Sequence, residues 1–140
     1  VLIYFAVVVL RYFFNFGSIA LQESVTYLHA MVFMLAAAYT LQNDGHVRVD
    51  IFYGRWPALR RAWVDMLGSL LLLLPFALSL MAFSWAYVGA SWAQLETSAE
   101  PGGLPFVYLL KTLILIMGAQ LALQAIAQAL KAWQRIQEAG

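Results

Sequence analysis

The chain has 140 residues, of which 64% are hydrophobic and 11% charged, with a net charge of +1. A soluble domain carries roughly 25% charged residues, so these charges are too few to cover a surface in water, and the solvent is mostly lipid. The near-neutral balance gives no basic field for nucleic acid. The lack of cysteine excludes disulfides, iron–sulfur clusters and thiolate metal sites.

The first apolar stretch covers residues 1–17, interrupted by Arg11 and closed by Gly17-Ser18. A spanning helix needs about 20 apolar residues, so this span is expected to begin before Val1. Arg11 either snorkels to the headgroups or pairs with Glu23 across the following turn. Residues 18–24 form a half-polar connector. Glu23 stands where a helix N-terminus favours a carboxylate. The second span, residues 25–41, carries no formal charge. His29 lies one turn inside it, as a packing residue in preference to a ligand or proton relay. Ala30, Ala36, Ala37 and Ala38 let a neighbouring helix approach closely.

Residues 42–61 form a polar hinge with Arg48, Arg55, Arg60, Arg61 and His46 set against Asp44 and Asp50. Asn43-Asp44-Gly45 is turn chemistry, and residues 46–50 alternate polar and apolar like an extended or interfacial segment. Pro57 suits a first helical turn. Residues 58–65 then form a short amphipathic, interfacial helix, with Arg61 and Asp65 at i,i+4 as a surface pair. Trp56 and Trp63 suit the aromatic belt.

The third span, residues 64–93, lies in a stretch with no charge after Asp65. Pro75 should kink it. Trp85 and Trp92, seven apart, mark the far interface. The second connector, residues 94–104, has Glu96 and Glu100 as its only charges and Pro101-Gly102-Gly103 as its loop. The fourth span is residues 105–130. Lys111 lies about 9 Å into it and can reach back to Glu96 or Glu100. Gln120, Gln124 and Gln128 recur every four residues, and Lys131 and Arg135 roughly continue that stripe. Amides at this depth want partners on another helix, which favours packing over a transport path.

The fold expected is therefore an all-α integral membrane protein: one domain of four transmembrane helices, with a short interfacial helix before the third. The arginine-rich hinge and the Lys131/Arg135 end mark the cytoplasmic side. Both termini then lie in the cytoplasm, and Glu23, Glu96 and Glu100 face outwards.

Catalytic chemistry is not legible. The two histidines are far apart and lack metal-ligand spacing. No phosphate loop and no nucleophile–base set occurs, so no enzyme activity and no cofactor is expected. No carboxylate sits near the centre of a span, where a proton-coupled carrier normally needs one. Such a chain reads as an accessory subunit.

Three stretches carry a family resemblance. They are Arg11-Tyr12-Phe13-Phe14-Asn15 with Gln22-Glu23-Ser24 and Tyr27-Leu28; Gly45-His46-Val47-Arg48-Val49-Asp50 with Phe52; and Gly102-Gly103-Leu104-Pro105 with Leu110-Lys111-Thr112. In order and spacing the chain resembles the small membrane subunit of TRAP transporters, the tripartite ATP-independent periplasmic uptake systems (the DctQ-like family). One departure is Glu23-Ser24, where many members carry two consecutive acidic residues. The resemblance implies a bacterial inner-membrane protein packed against a large many-spanning subunit that holds the substrate and sodium sites. A periplasmic binding protein delivers the substrate, mostly an organic acid, and an ion gradient drives uptake. Arg11, Glu23, His46, Arg48, Asp50, Lys111, Gln120, Gln124 and Gln128 become candidates for anchoring or subunit contact, beside membrane lipids. Glu96 and Glu100 become candidates for contact with the binding protein. Two other readings stand beside this one. His29 motivates a haem-holding anchor of a redox complex, although a second well-placed histidine is missing. The length and number of spans also suit a self-contained efflux transporter working as a dimer, although its first span would want an acidic residue.

Overall fold

A computed structural model describes residues 1–43 and 53–138. The expectations for His46, Arg48 and Asp50, including an extended path through residues 46–50, lie outside the described residues. The rest is helical: α1 (Leu2–Phe13), α2 (Ile19–Gln42), α3 (Ala58–Gly68), a π turn (Ser69–Leu73), α4 (Leu74–Ala93) and α5 (Val107–Glu138). Among the described residues, three helices are long and apolar enough to cross a membrane: Ile19–Gln42, the continuous run Ala58–Ala93, and Val107–Glu138. The expected first span is represented by α1, whose 12 residues cover about 18 Å of a hydrocarbon layer about 30 Å thick.

Local chemistry explains where the helices start and stop. At the end of α1, Asn15 takes φ 51°, a left-handed conformation that asparagine tolerates better than most residues. The chain turns there, and the Phe16 N–H returns to the Leu10 carbonyl at 3.0 Å. The helix α2 starts before the expected connector ends, because Ser18 caps it by accepting from the Leu21 N–H at 3.4 Å. Residues 19–24 are thus its first turns, which puts Glu23 on the helix. The amphipathic turns of α3 are not set apart as a separate helix but run through the π turn into α4. Pro75 supplies the cause. It has no N–H for the Leu71 carbonyl and its ring crowds that group. The helix widens just before it, with the Leu74 N–H on the Ser69 carbonyl, a π-bulge of the kind that bends helices.

The centre of the bundle is α5, which packs against α2, α3 and α4, while α1 packs on α2. Its buried residues are Leu113, Gly118, Leu121, Ala125, Ala129 and Ala132. From Gly118 onward they recur in steps of three and four, which draws one stripe along the helix. Small residues on that stripe let backbones meet. The tightest place is the crossing with α4. A Cβ on Gly118 would lie 2.6 Å from Met81 Cγ and 3.4 Å from the Ala77 carbonyl oxygen, and Ala77 is fully buried. Further along, Met66 of α3 joins Ala129 and Ala132, with Ile136 packed on them. The outward faces stay apolar: Phe13, Leu72 and Phe83 are each more than 70% exposed, and among the described residues no large side chain is wholly enclosed.

Gly118→Leu should force α4 and α5 apart. Overpacking of this kind typically costs about 1–3 kcal/mol, so the detergent-solubilised protein should melt several degrees lower. An unchanged melting temperature would remove the crossing from the account. Gly118→Ala should be much milder, because Met81 is a flexible neighbour and alanine gains about 1 kcal/mol in helix propensity.

Candidate functional site

The polar side chains of the bundle gather at its two ends. At one end, the 94–106 loop is tied to α2 through Glu23. Its Oε2 accepts from the Leu104 N–H at 2.7 Å, and its Oε1 accepts from the Ser98 hydroxyl. The loop is also knit to itself. The Ser98 N–H donates to the Leu104 carbonyl at 3.2 Å, the Gly103 N–H to the Glu100 carbonyl at 3.0 Å, and the Glu100 N–H to Ser98 Oγ at 3.1 Å. Both glycines are required for different reasons. Gly102 takes φ 81°, a conformation open to glycine. Gly103 lies where a Cβ would collide with the Ser98 side chain and come within 2.8 Å of Glu23 Oε1.

A second set of contacts joins the loop to α4 and α5. Leu95 takes φ 45°, so the Leu95 N–H bonds the Trp92 carbonyl and the Glu96 N–H bonds the Ser91 carbonyl at 3.0 Å. This is the double closure of a Schellman cap, built on leucine where glycine is usual. It aims the Glu96 carboxylate at the Ser91 hydroxyl, 2.6 Å away, and at the Lys111 ammonium, with which it forms an ion pair. Lys111 Nζ also stands 4.1 Å from the Tyr87 ring centroid, a cation–π geometry. Beside it, Trp92 Nε1 donates to Thr112 Oγ1 at 2.8 Å and its ring meets Tyr108 edge-on at 4.7 Å. The Lys111 bond, followed by that of Ser91, holds the Glu96 carboxyl below its usual value of 4.5.

At the opposite end, Gln128 of α5 bridges two elements. It donates to the Leu41 carbonyl of α2 at 3.2 Å and accepts from the buried Ser69 hydroxyl at 3.4 Å. Such contacts average about 0.6 kcal/mol in membrane bundles, too little to build the bundle but enough to set its register. Next to this bridge lies a cavity of about 780 Å³, whose lining includes Gln124, Arg61, Lys131 and Arg135. The Tyr53 hydroxyl donates to the Asp65 carboxylate, at 2.8 and 2.7 Å from its two oxygens. Arg61 lies 6.0 Å from the Tyr53 ring centroid. The i,i+4 pair expected between Arg61 and Asp65 is thus replaced by a triangle through Tyr53.

The sequence-derived candidates separate on this map. Glu23, Glu96 and Lys111 meet at the loop end, with Glu100 exposed beside them. Arg11 is exposed on α1 and forms no ion pair with Glu23 among the described residues. The three glutamines have three environments. Gln128 is a bridge, Gln124 lines the cavity, and Gln120 Oε1 is buried without a partner among the described residues, as is the Tyr27 hydroxyl. His29 is exposed with its ring 4.5 Å from Phe33. Ser91, Ser98 and Tyr53 were missed. A serine two residues from either glutamate of a loop that carries two, Glu96 and Glu100, gives too common a signal to single out. Among the described residues no cluster of histidine and carboxylate side chains could hold a metal.

Glu23→Ala should free the loop, read as about ten-fold faster hydrogen exchange at the Leu104 amide; unchanged exchange would mean the loop holds itself. The pH dependence has a definite sign. A carboxyl whose pKa is lower folded than unfolded binds fewer protons in the folded state, so it stabilises above the usual value and loses that contribution as pH falls through the folded value. Acidification below about pH 4.5 should therefore loosen the loop in the wild type. The effect should shrink in Glu96→Gln.

Residues 1–135 match the family described as tripartite ATP-independent periplasmic transporters, DctQ component. No curated protein and no solved structure is similar enough to match. The match runs through all three stretches that carry the resemblance. With helices of spanning length, the chain is a multi-pass membrane protein, and it belongs to the DctQ family, the small membrane component of TRAP transporters.

Proposed function

We propose that the chain is the static, non-catalytic subunit of an ion-gradient-driven, sodium-coupled uptake system for organic acids. In this reading it scaffolds the large transport subunit in the bacterial inner membrane and helps to dock the periplasmic binding protein. It crosses the membrane four times with both ends in the cytoplasm, α1 being the membrane-embedded part of the first span. Family membership supports the setting. The observation that carries the scaffold role is how the polar groups are used: Glu23, Lys111, Trp92 and Gln128 are each committed to bonds between this chain's own elements. A carrier needs polar groups that change partners during transport; a scaffold needs them fixed.

The exposed apolar faces of α1, α2 and α4 are then shared between lipid and the large subunit. Arg11, His46, Arg48 and Asp50 act at the membrane surfaces as anchors or subunit contacts, and Gln120 offers its unpartnered oxygen to a neighbouring helix. At the outer end, Glu100 is free to meet the binding protein, whereas the Glu96 carboxylate is already held by Lys111 and Ser91.

The test is reconstituted uptake of a labelled organic acid under an inward sodium gradient. The large subunit, the binding protein and this chain together should transport. Omitting this chain should abolish uptake while substrate binding to the binding protein persists, and Arg48→Glu should weaken uptake. Transport by this chain alone would overturn the proposal in favour of a self-contained transporter.

A further inference from the structure

The cavity at the hinge end is not absorbed by the scaffold role. It lies between the end of α2, the α3–π-turn segment and the last turns of α5. Its lining is graded. At the end nearest the last turns of α5 stand Lys131 and Arg135, with Arg61 from the start of α3. None of the three forms an ion pair among the described residues. Asp65 shares the cavity, but both its oxygens are in hydrogen-bond reach of the Tyr53 hydroxyl. Glu138 is placed with Arg61, Asp65 and Arg135 in the adjoining recess, so among the described residues the cavity lining keeps an excess of positive charge. Earlier along α5 the lining has the amides of Gln124 and Gln128, with the Ser69 hydroxyl against Gln128, and apolar side chains such as Leu41 and Leu73. From Gln124 to Arg135 the helix rises about 16 Å.

We infer that this cavity holds the headgroup of an anionic phospholipid. The polarity gradient follows that of a lipid molecule. The phosphate takes the three cations at one end, the ester carbonyls meet amide and hydroxyl donors beyond them, and the acyl chains leave along apolar side chains into the bilayer. A free anion would use only the cationic end. Basic pockets between transmembrane helices on the positively charged side of a membrane protein recognise anionic headgroups in this way. The arginine and lysine fork is the chemistry that phosphate oxygens select. A zwitterionic headgroup would bring its own cation against Arg61, Lys131 and Arg135, so the site discriminates by charge. A lipid seated here would also lock the ends of α2, α3 and α5 together, where the Gln128 bridge alone is weak.

The experiment is native mass spectrometry of the chain, purified with whatever subunits accompany it, delipidated and offered equal amounts of phosphatidylglycerol and phosphatidylcholine. The wild type should retain phosphatidylglycerol over phosphatidylcholine by about ten-fold. Lys131→Gln/Arg135→Gln should bring that preference close to unity. Arg55→Gln/Arg60→Gln removes the same charge outside the cavity and should leave it intact. Arg61→Gln alone should give a partial loss, which keeps the test open if the double variant does not fold. Four results would each overturn the inference: no preference in the wild type; equal loss in both double variants, meaning general surface attraction; displacement of the lipid by millimolar inorganic phosphate, meaning a free-anion site; or a preference seen only after companion subunits are stripped away, meaning a protein segment fills the cavity.

Discussion

A polar group inside a bilayer has no water to turn to, so it must be satisfied by the protein itself. This constraint governs the molecule more than any single motif does. Few polar side chains enter the bundle, and most of those that do tie two elements together. Glu23, at the loop end of the bundle, shows such a tie most clearly. Its two carboxylate oxygens receive a hydroxyl and a backbone N–H from a loop more than seventy residues away in sequence. That one residue joins the start of α2 to the connector between α4 and α5. At the other end an amide of α5 joins the last turn of α2 to the π turn. The bundle is thus pinned at both ends, with apolar packing between.

The packing between the pins comes from small side chains. Hydrophobicity does not hold helices together in lipid, whose chains are as apolar as leucine; close contact does. Gly118, Ala125, Ala129 and Ala132 supply it along α5, and Ala77 supplies it on α4. Large aromatic and aliphatic residues consequently stand on the outside, facing lipid or another protein. A rigid inner seam with a large apolar exterior suits a subunit that holds position while a partner moves.

Much of this was legible in the residues. The helical class, the loop at Pro101-Gly102-Gly103 and the reach of Lys111 to Glu96 all follow from local composition and side-chain length. The disturbance at Pro75 was legible too, because a missing N–H acts within one turn; that it takes the form of a π turn was not. Glu23 was expected just ahead of the second helix and instead lies in its second turn, and its partners depend on how the fourth long segment returns, which no local pattern encodes. The Schellman cap at Leu95 was hidden because leucine occupies a position where glycine normally signals it. The even spacing of Gln120, Gln124 and Gln128 suggested one role, and their different neighbours give them three. The family was legible from three separated stretches read as a set, each too short to stand alone.

In the scaffold reading, this chain uses its polar groups for its own architecture and leaves its exterior to a partner. The most direct measurement is to tag the chain in its native host, extract the membranes in mild detergent and weigh the particle that is recovered. A one-to-one complex with a large many-spanning membrane protein is the result expected. Recovery of the chain alone, or only with further copies of itself, would contradict that reading.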